Sequence, residues 1–257
     1  MGGEGELPPL IVNVHGGPTA TAVPGYDLRI QYWTSRGFAY LDVNYRGSMG
    51  YGTGYRKALE GKWGIYDVDD CVSGVQHLVD AGLVDPRRIA IRGGSAGGFT
   101  VLSAITRSSA FTAASSCFGV TDLKRLVRTT HKFESHYIGQ LMGTHDIDDP
   151  VLDERSPINH IDDISVPLLL IQGSEDPIVP AEQATAMYEA LKEAGAPVAL
   201  EVFQGEGHGF RLATNIRRRY EAELSFYRQV WRIGTASSHA EGQGEEETFT
   251  VKVENLH

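Results

Sequence analysis

The chain has 257 residues, 41% of them hydrophobic, and a formal net charge of −10. This length and composition suffice for one α/β domain with a sizeable core, and the negative charge argues against nucleic acid as a partner. No apolar run approaches 18 residues, and the first residues lack a secretory signal, so we expect a cytoplasmic protein that is not associated with a membrane.

Short apolar runs alternate with helical patterns along most of the chain, which predicts a mostly parallel, doubly wound sheet. The predicted strands are 10–14, 38–43, 89–92, 112–118, 167–172 and 198–203, and the predicted helices are 26–36, 67–81, 96–106, 181–194 and 215–233. Residues 130–165 have weak periodicity and are expected to cap the edge of the sheet where ligands bind.

The end of the chain has a different composition. Residues 234–246 are small, polar and acidic, which is typical of a flexible linker. Residues 249–253 then alternate apolar and polar side chains, which predicts a short terminal strand. We therefore divide the sequence into a domain at 1–233 and an acidic tail at 234–257.

The most informative motif is G-G-S-A-G-G at 93–98, which lies between a predicted strand and a predicted helix. This G-x-S-x-G pattern is typical of a nucleophile elbow, in which a sharp turn exposes a serine hydroxyl above the sheet. Small neighbours are needed because the turn is strained and the backbones approach closely. The pattern predicts Ser95 as a nucleophile, whereas a glycine-rich turn with a capping serine is the structural alternative.

Two further residues follow strand ends in the order that a serine hydrolase of this architecture requires. Asp176 comes after strand 167–172 and His208 comes after strand 198–203, so the order is Ser, Asp, His. The imidazole would take the serine proton, and the carboxylate would orient the imidazole. Asp122 also follows a strand end, but it does so one strand earlier than the usual place of the acid.

An oxyanion site needs two donors that point to the developing charge. The N–H of Ala96 is one candidate, and the loop His15-Gly16-Gly17 supplies the other, for which we choose the N–H of Gly17. Tyr45 could offer its phenol instead, although a packing role is an equal alternative. No C-x-x-C, H-E-x-x-H, P-loop or dinucleotide motif is present, so we expect neither a metal nor a cofactor.

Together the motifs resemble the peptidase domain of the prolyl oligopeptidase family (S9), in particular its acylaminoacyl-peptidase and dipeptidyl-peptidase-like branch. They are H-G-G-P at 15–18, N-Y-R-G-S at 44–48, G-G-S-A-G-G at 93–98, G-S-E-D-P at 173–177 and G-E-G-H-G-F at 205–210. The resemblance implies an α/β-hydrolase fold, with Ser95, Asp176 and His208 as the triad and Gly17 and Ala96 as oxyanion donors.

The resemblance also shows a departure. Members of this family have an N-terminal β-propeller over the active site and additional strands before the H-G-G-P strand. Only nine residues precede the predicted first strand here, so we expect a sheet that lacks its first strands and a site without a propeller. The open sheet edge would be covered by a second copy of the chain, by a partner chain or by the C-terminal segment at 249–253.

The predicted activity is therefore that of a serine peptidase that acts on a small peptide or acyl-peptide and releases an N-acylated amino acid or a short N-terminal unit. Two other functions stay open: a carboxylesterase for small acyl esters, and a catalytically idle fragment or interaction module. For the acyl-side pocket, Phe118, Phe133 and Tyr137 are the candidates, with core packing as the equal alternative.

Overall fold

The computed structural model describes residues 5–129, 132–233 and 250–256, without the side chains of 132–135. Six parallel strands form one sheet in the order β2-β1-β3-β4-β5-β6. The strands are β1 Leu10–Val14, β2 Ala39–Val43, β3 Ile89–Gly94, β4 Ala113–Cys117, β5 Leu168–Gly173 and β6 Val198–Phe203. All six predicted strands are confirmed to within two residues at each end.

The described part of the chain contains nine α-helices, of which eight lie between strands and the ninth follows β6. They are α1 Leu28–Thr34, α2 Thr53–Lys57, α3 Tyr66–Asp80, α4 Ala96–Arg107, α5 Leu123–Thr129, α6 Lys132–Met142, α7 Pro150–Glu154, α8 Ala181–Glu193 and α9 Ala213–Trp231. Two short 3-10 turns, Pro157–Asn159 and Ile161–Asp163, follow α7. The five helices predicted from apolar periodicity are α1, α3, α4, α8 and α9.

Both faces of the sheet are buried. Along β1, Leu10, Val12 and Val14 belong to one apolar cluster, whereas Ile11 belongs to the other. Successive side chains of a strand point to opposite faces, so this alternation separates the two cores. Residues of α3, α4 and α8 cover the first face, and residues of α1 and α9 cover the second. The predicted doubly wound α/β architecture is confirmed.

The segment between β4 and β5 is more helical than its weak periodicity suggested. It contains α5, α6 and α7, and α6 contacts the loop before α3, where the N–H of Gly61 donates to the carbonyl of Gln140 at 2.9 Å. Short helices that bury only a few side chains leave little periodic signal. This segment forms one wall of the cleft above the sheet.

The C-terminal segment lies against β6. Val198 and Glu254 exchange two backbone hydrogen bonds of 3.1 and 2.8 Å in an antiparallel bridge, and Val251 is buried among residues of α9. The predicted strand at 249–253 begins at Phe249, which lies outside the described residues. Within the described part of this segment, 250–256, only Glu254 makes a strand-like bridge, and the segment covers β6 whereas β2 forms the opposite edge of the sheet.

Candidate active site

Ser95 lies at a tight turn between β3 and α4. Its φ of 57° and ψ of −124° are strained values for a residue with a side chain. A Cβ on Gly97 would overlap the carbonyl oxygen of Val14, and a Cβ on Gly93 would lie 2.6 Å from the carbonyl oxygen of Gly97. The glycines are required because the turn brings three backbone segments into contact. This geometry lifts the Ser95 side chain above the carboxyl ends of the strands.

Three side chains from separate strand ends meet at this point. The Ser95 hydroxyl lies 2.8 Å from Nε2 of His208, and Nδ1 of His208 lies 2.8 Å from Oδ2 of Asp176. A carboxylate can only accept, so Nδ1 carries the proton that is donated to Asp176, and Nε2 is left to accept from the serine hydroxyl. This tautomer is the one that can remove a proton from Ser95.

Asp176 is buried and is held in an ionised form by several donors. Its Oδ1 accepts hydrogen bonds of 2.9 Å from the N–H groups of Ile178 and Val179. Burial alone would raise the pKa of Asp176, but the hydrogen bonds from His208 and from these two N–H groups lower it below the usual value. The carboxylate is therefore available to stabilise a positive charge on His208.

Two supporting side chains were not predicted from the sequence. Gln172, fully buried at the end of β5, donates from Nε2 to Asp176 at 3.2 Å and to the carbonyl of Val179 at 3.0 Å. Glu206 accepts from the N–H groups of Arg211 and Leu212 and so shapes the loop that carries His208. A signal for Gln172 was present, because an amide in an otherwise apolar buried strand requires a polar partner.

The loop after β1 places a second backbone donor near Ser95. Gly17 has φ of 116° and precedes a cis peptide bond to Pro18. Gly17 and Ala96 both line the cavity that contains Ser95. Within the described chain, neither N–H donates to a carbonyl or a side chain, so both are free for a substrate oxygen. Their placement agrees with a two-donor oxyanion site.

Tyr45 is placed differently from the oxyanion role considered for it. Its side chain is fully buried and stacks on His15, with ring centroids 4.3 Å apart. Its hydroxyl donates to the carbonyl of Pro18 at 2.7 Å and lies 3.1 Å from the carbonyl of His15. The hydroxyl proton is therefore used within the loop, and Tyr45 supports the conformation of Gly17 rather than facing a substrate.

Beside Ser95, Ala96 and Gly17 lies an apolar cavity of about 300 Å³. Its walls are mostly aliphatic and include Val120, Leu126, Ile138, Leu141 and Val179. Tyr137 also lines this cavity, and its hydroxyl lies 2.8 Å from the Thr19 hydroxyl. The cavity can hold an uncharged side chain next to a carbonyl attacked by Ser95.

The other two pocket candidates lie elsewhere or cannot be placed. Phe118 has a positive φ of 40° and packs against His208, with ring centroids 4.8 Å apart. It lines a second, polar cavity on the side of Gly94 and not the apolar one. The side chain of Phe133 lies outside the described residues.

The competing acid and several histidines have other partners. Oδ1 of Asp122 accepts from the N–H of Arg125 at 2.9 Å, so Asp122 caps the start of α5. His136 and His145 contact each other and not Ser95.

In the described residues, no group of three or more histidine, cysteine or acidic side chains could hold a metal ion. In the same residues no helix has the length and apolar character needed to cross a membrane.

The chain is similar to known proteins over most of its length. The sequence model described as "Prolyl oligopeptidase family" matches residues 24–233. The chain is 36% identical to dipeptidyl aminopeptidase BIII of Pseudoxanthomonas mexicana over 220 residues, which are 83% of this chain and 32% of that protein. It is 34% identical to the acylamino-acid-releasing enzyme of Arabidopsis thaliana over 215 residues, which are 79% of this chain and 28% of that enzyme.

A solved structure shows the same architecture. A puromycin-hydrolyzing peptidase from Mycobacterium tuberculosis superposes with a TM-score of 0.86 and 49% identity, covering 89% of this chain and 35% of that one. The chain thus spans about a third of the length of the relatives that it matches.

Proposed function

The chain belongs to the prolyl oligopeptidase family, and on this basis we propose that it is a serine peptidase that cleaves short peptides. We propose further that it releases an N-acylated amino acid or a short N-terminal unit. The observation that carries the proposal is the continuous pair of 2.8 Å hydrogen bonds that links Ser95, His208 and Asp176. The acylamino-acid-releasing and dipeptidyl aminopeptidase activities named for two relatives support the choice of substrate.

In the proposed reaction, Oγ of Ser95 attacks the scissile carbonyl while Nε2 of His208 takes the hydroxyl proton. The negative charge on the carbonyl oxygen is stabilised by the N–H groups of Gly17 and Ala96. Asp176 stabilises the positive imidazolium. His208 then gives its proton to the nitrogen of the leaving group, the C–N bond breaks, and an acyl-enzyme remains on Ser95. Water activated by His208 hydrolyses this ester and restores the serine.

The apolar cavity supports a preference for an uncharged residue on the acyl side of the bond. Among the described residues that line it, His208 is the only acidic or basic side chain. A charged side chain would lose its hydration there without gaining a partner. We therefore expect N-acetyl-leucine derivatives to be cleaved much faster than N-acetyl-aspartate derivatives.

The nucleophile is tested with a fluorophosphonate probe and with N-acetyl-leucyl p-nitroanilide. The probe is expected to label Ser95, and Ser95→Ala is expected to lose labelling and about a millionfold in kcat, as for the equivalent serine in subtilisin. Peptide mapping of the labelled chain identifies the modified residue. Turnover retained in Ser95→Ala, after removal of contaminating hydrolases, would dismiss the mechanism.

The same substitution, aspartate to asparagine, at Asp176 and at Asp122 provides a matched control for the role of the acid. Asp176→Asn should lower kcat by about 10⁴, as the corresponding change does in a serine protease triad, because the imidazole loses its orientation and its counter-charge. Asp122→Asn makes the same chemical change at the acid that caps α5, and it should retain kcat within a few fold. Equal losses in both variants would contradict the assignment of Asp176.

A carboxylesterase is the second candidate, because the same hydrogen-bonded serine and two backbone donors serve an ester as well as an amide. The specific observation in its favour is that the apolar cavity, as lined by the described residues, fits the acyl side chain, which an ester and an amide substrate can share. Parallel assays on the anilide and on p-nitrophenyl butyrate separate the candidates through their kcat/KM ratio. Absence of labelling by the fluorophosphonate would favour the idle module instead.

A further inference from the structure

A second cavity, of about 650 Å³, also reaches Ser95. The apolar cavity borders the residue after the nucleophile, Ala96, whereas the second cavity borders the residue before it, Gly94. The second cavity lies between the loop after β1, the ends of β2 and β3, and the first turns of α9. The second cavity is lined by both charged and aromatic side chains, so its chemistry differs from that of the apolar cavity.

Most charged side chains of this second cavity already have partners. Arg92 forms an ion pair of 2.8 Å with buried Glu223, and Arg29 forms a short ion pair with Asp27. The carboxylate of Asp42 accepts a hydrogen bond of 2.7 Å from the amide of Asn13. These pairs neutralise or satisfy their members and leave them with little need for a ligand.

Arg219 is the exception in the described part of the cavity. Among the residues that the structure describes, no carboxylate lies within 4 Å of its guanidinium, and its Nε is buried without a hydrogen-bond partner. Three aromatic rings surround it instead, with the guanidinium carbon 5.9 Å from the centroids of Phe118 and Phe210 and 5.8 Å from that of Tyr220. These rings hold the cation in place but do not neutralise its charge.

The position of Arg219 relates it to the reacting groups. The ring of Phe118 contacts both the guanidinium of Arg219 and the imidazole of His208. Ser95 and Arg219 both line the second cavity, whereas the acyl residue is assigned to the apolar cavity, so the second cavity is the side of Ser95 left for the leaving group. An arginine with free donors near that side is suited to bind a carboxylate through two parallel hydrogen bonds.

We propose that the second cavity receives the leaving group and that Arg219 binds a carboxylate located one or two residues after the scissile bond. The ligand is the C-terminal carboxylate of a short peptide substrate. This inference rests on the proposed peptidase function and deepens it, since it makes the protein selective for bonds close to a free C-terminus. Arg219 acts in specificity and takes no part in the bond-breaking steps.

The test compares N-acetyl-Leu-Ala and N-acetyl-Leu-Ala-Ala, each as the free acid and as the C-terminal amide. In at least one of the two pairs, we expect kcat/KM of the free acid to be at least about tenfold higher than kcat/KM of the amide. The loss of a charge-assisted hydrogen bond in the amide has an effect of this size. Arg219→Gln should bring this ratio close to one. Arg217→Gln, which removes the same charge from an exposed position of α9, should keep the ratio.

An additional substrate distinguishes two sources of the carboxylate. N-acetyl-Leu-Ala-Asp-amide has a side-chain carboxylate but no C-terminal one. A preference for this substrate over N-acetyl-Leu-Ala-Ala-amide that disappears in Arg219→Gln would support a carboxylate subsite and assign it to a side chain. A loss of turnover in Arg219→Gln that is equal for acids and amides would indicate a structural role and would overturn the proposal.

A binding measurement separates failure of this inference from failure of the proposed function. In the Ser95→Ala variant, the dipeptide Ala-Ala should bind at least about tenfold more tightly than Ala-Ala-amide in a calorimetric titration, and Arg219→Gln should abolish the difference. This result does not depend on turnover. Equal affinities, together with equal kcat/KM values in the wild type, would refute the subsite while leaving the serine peptidase intact.

Discussion

At the scale of single residues, two buried aspartates show how local donors decide the state of a carboxyl group. Asp176 accepts from His208 and from two backbone N–H groups, and its pKa lies below the usual value. Asp67 is also buried, at the start of α3, and accepts from Gly64 and Thr100 but from no cation. Burial therefore dominates there and raises the pKa of Asp67 to about 6.

Asp67 should make the stability of the protein depend on pH. Its folded pKa lies above the value of 3.8 for an unperturbed group, so the native state binds more protons between about pH 4 and 6. The free energy of unfolding should fall as the pH rises through this range, with a contribution from Asp67 of about 3 kcal/mol that is fully lost above pH 7. Asp67→Asn should remove this contribution, as measured by urea unfolding at pH 4.5 and pH 7.5.

The asparagine can keep the local hydrogen bonds, because the Thr100 hydroxyl also lies 3.1 Å from the carbonyl of Ala96 and can donate to it instead. Comparing the two proteins at each pH cancels the titration of all other groups. A wild-type stability that changes with pH by the same amount as that of Asp67→Asn would show that Asp67 does not titrate in this range.

At the scale of elements, the C-terminal segment is a covering for β6. Val251 is 1% exposed, and the amide of Gln229 donates to its carbonyl at 3.0 Å. Asn255 donates to the carbonyl of Ala196 at 3.1 Å, just before β6 begins. An edge strand with unpaired backbone groups is prone to pair with other chains, and this segment occupies part of that edge.

Removal of residues 250–257 should therefore destabilise the protein. The loss of a buried valine and of the two backbone hydrogen bonds with Val198 should lower the free energy of unfolding by about 3 kcal/mol. The melting temperature should fall by roughly 5–10 °C, which differential scanning calorimetry would detect.

Point substitutions in the same segment provide the control. Val251→Asp places a carboxylate in an apolar site and should reproduce most of the loss, whereas Lys252→Ala changes a side chain that is 84% exposed and should have little effect. An unchanged melting temperature after the deletion would show that the segment contributes no stability.

At the scale of the whole molecule, the site is a property of the entire sheet. Ser95 follows β3, Asp176 follows β5 and His208 follows β6, so three strands must be in register for the side chains to meet. The buried pair of Arg92 in β3 and Glu223 in α9 also connects the sheet to the last helix. No single element can preserve the triad while the others unfold.

Active-site labelling should therefore be lost together with the global fold. In a urea titration, the rate of fluorophosphonate labelling at Ser95 should have the same midpoint as the far-UV circular dichroism signal. Ser95→Ala, unfolded under the same conditions, controls for labelling at other sites. A labelling midpoint that is clearly lower than the spectroscopic one would show that the site opens locally before the sheet unfolds.

The sequence by itself determined the parallel sheet, the elbow at Ser95 and the positions of Asp176 and His208 past their strand ends. These features follow from short-range rules, because apolar periodicity, glycines at a strained turn and the order of strand ends are written in adjacent residues. The resemblance to the family rested on the same local motifs, and the match to residues 24–233 confirms it.

Only the tertiary structure decided where individual side chains point. Tyr45 follows a strand end as the site requires, yet its hydroxyl is used by Pro18. Phe118 lines the polar cavity because a positive φ turns it toward His208. The ring of Phe118 beside Arg219 likewise comes from a residue that is distant in sequence, and local patterns do not encode such a contact.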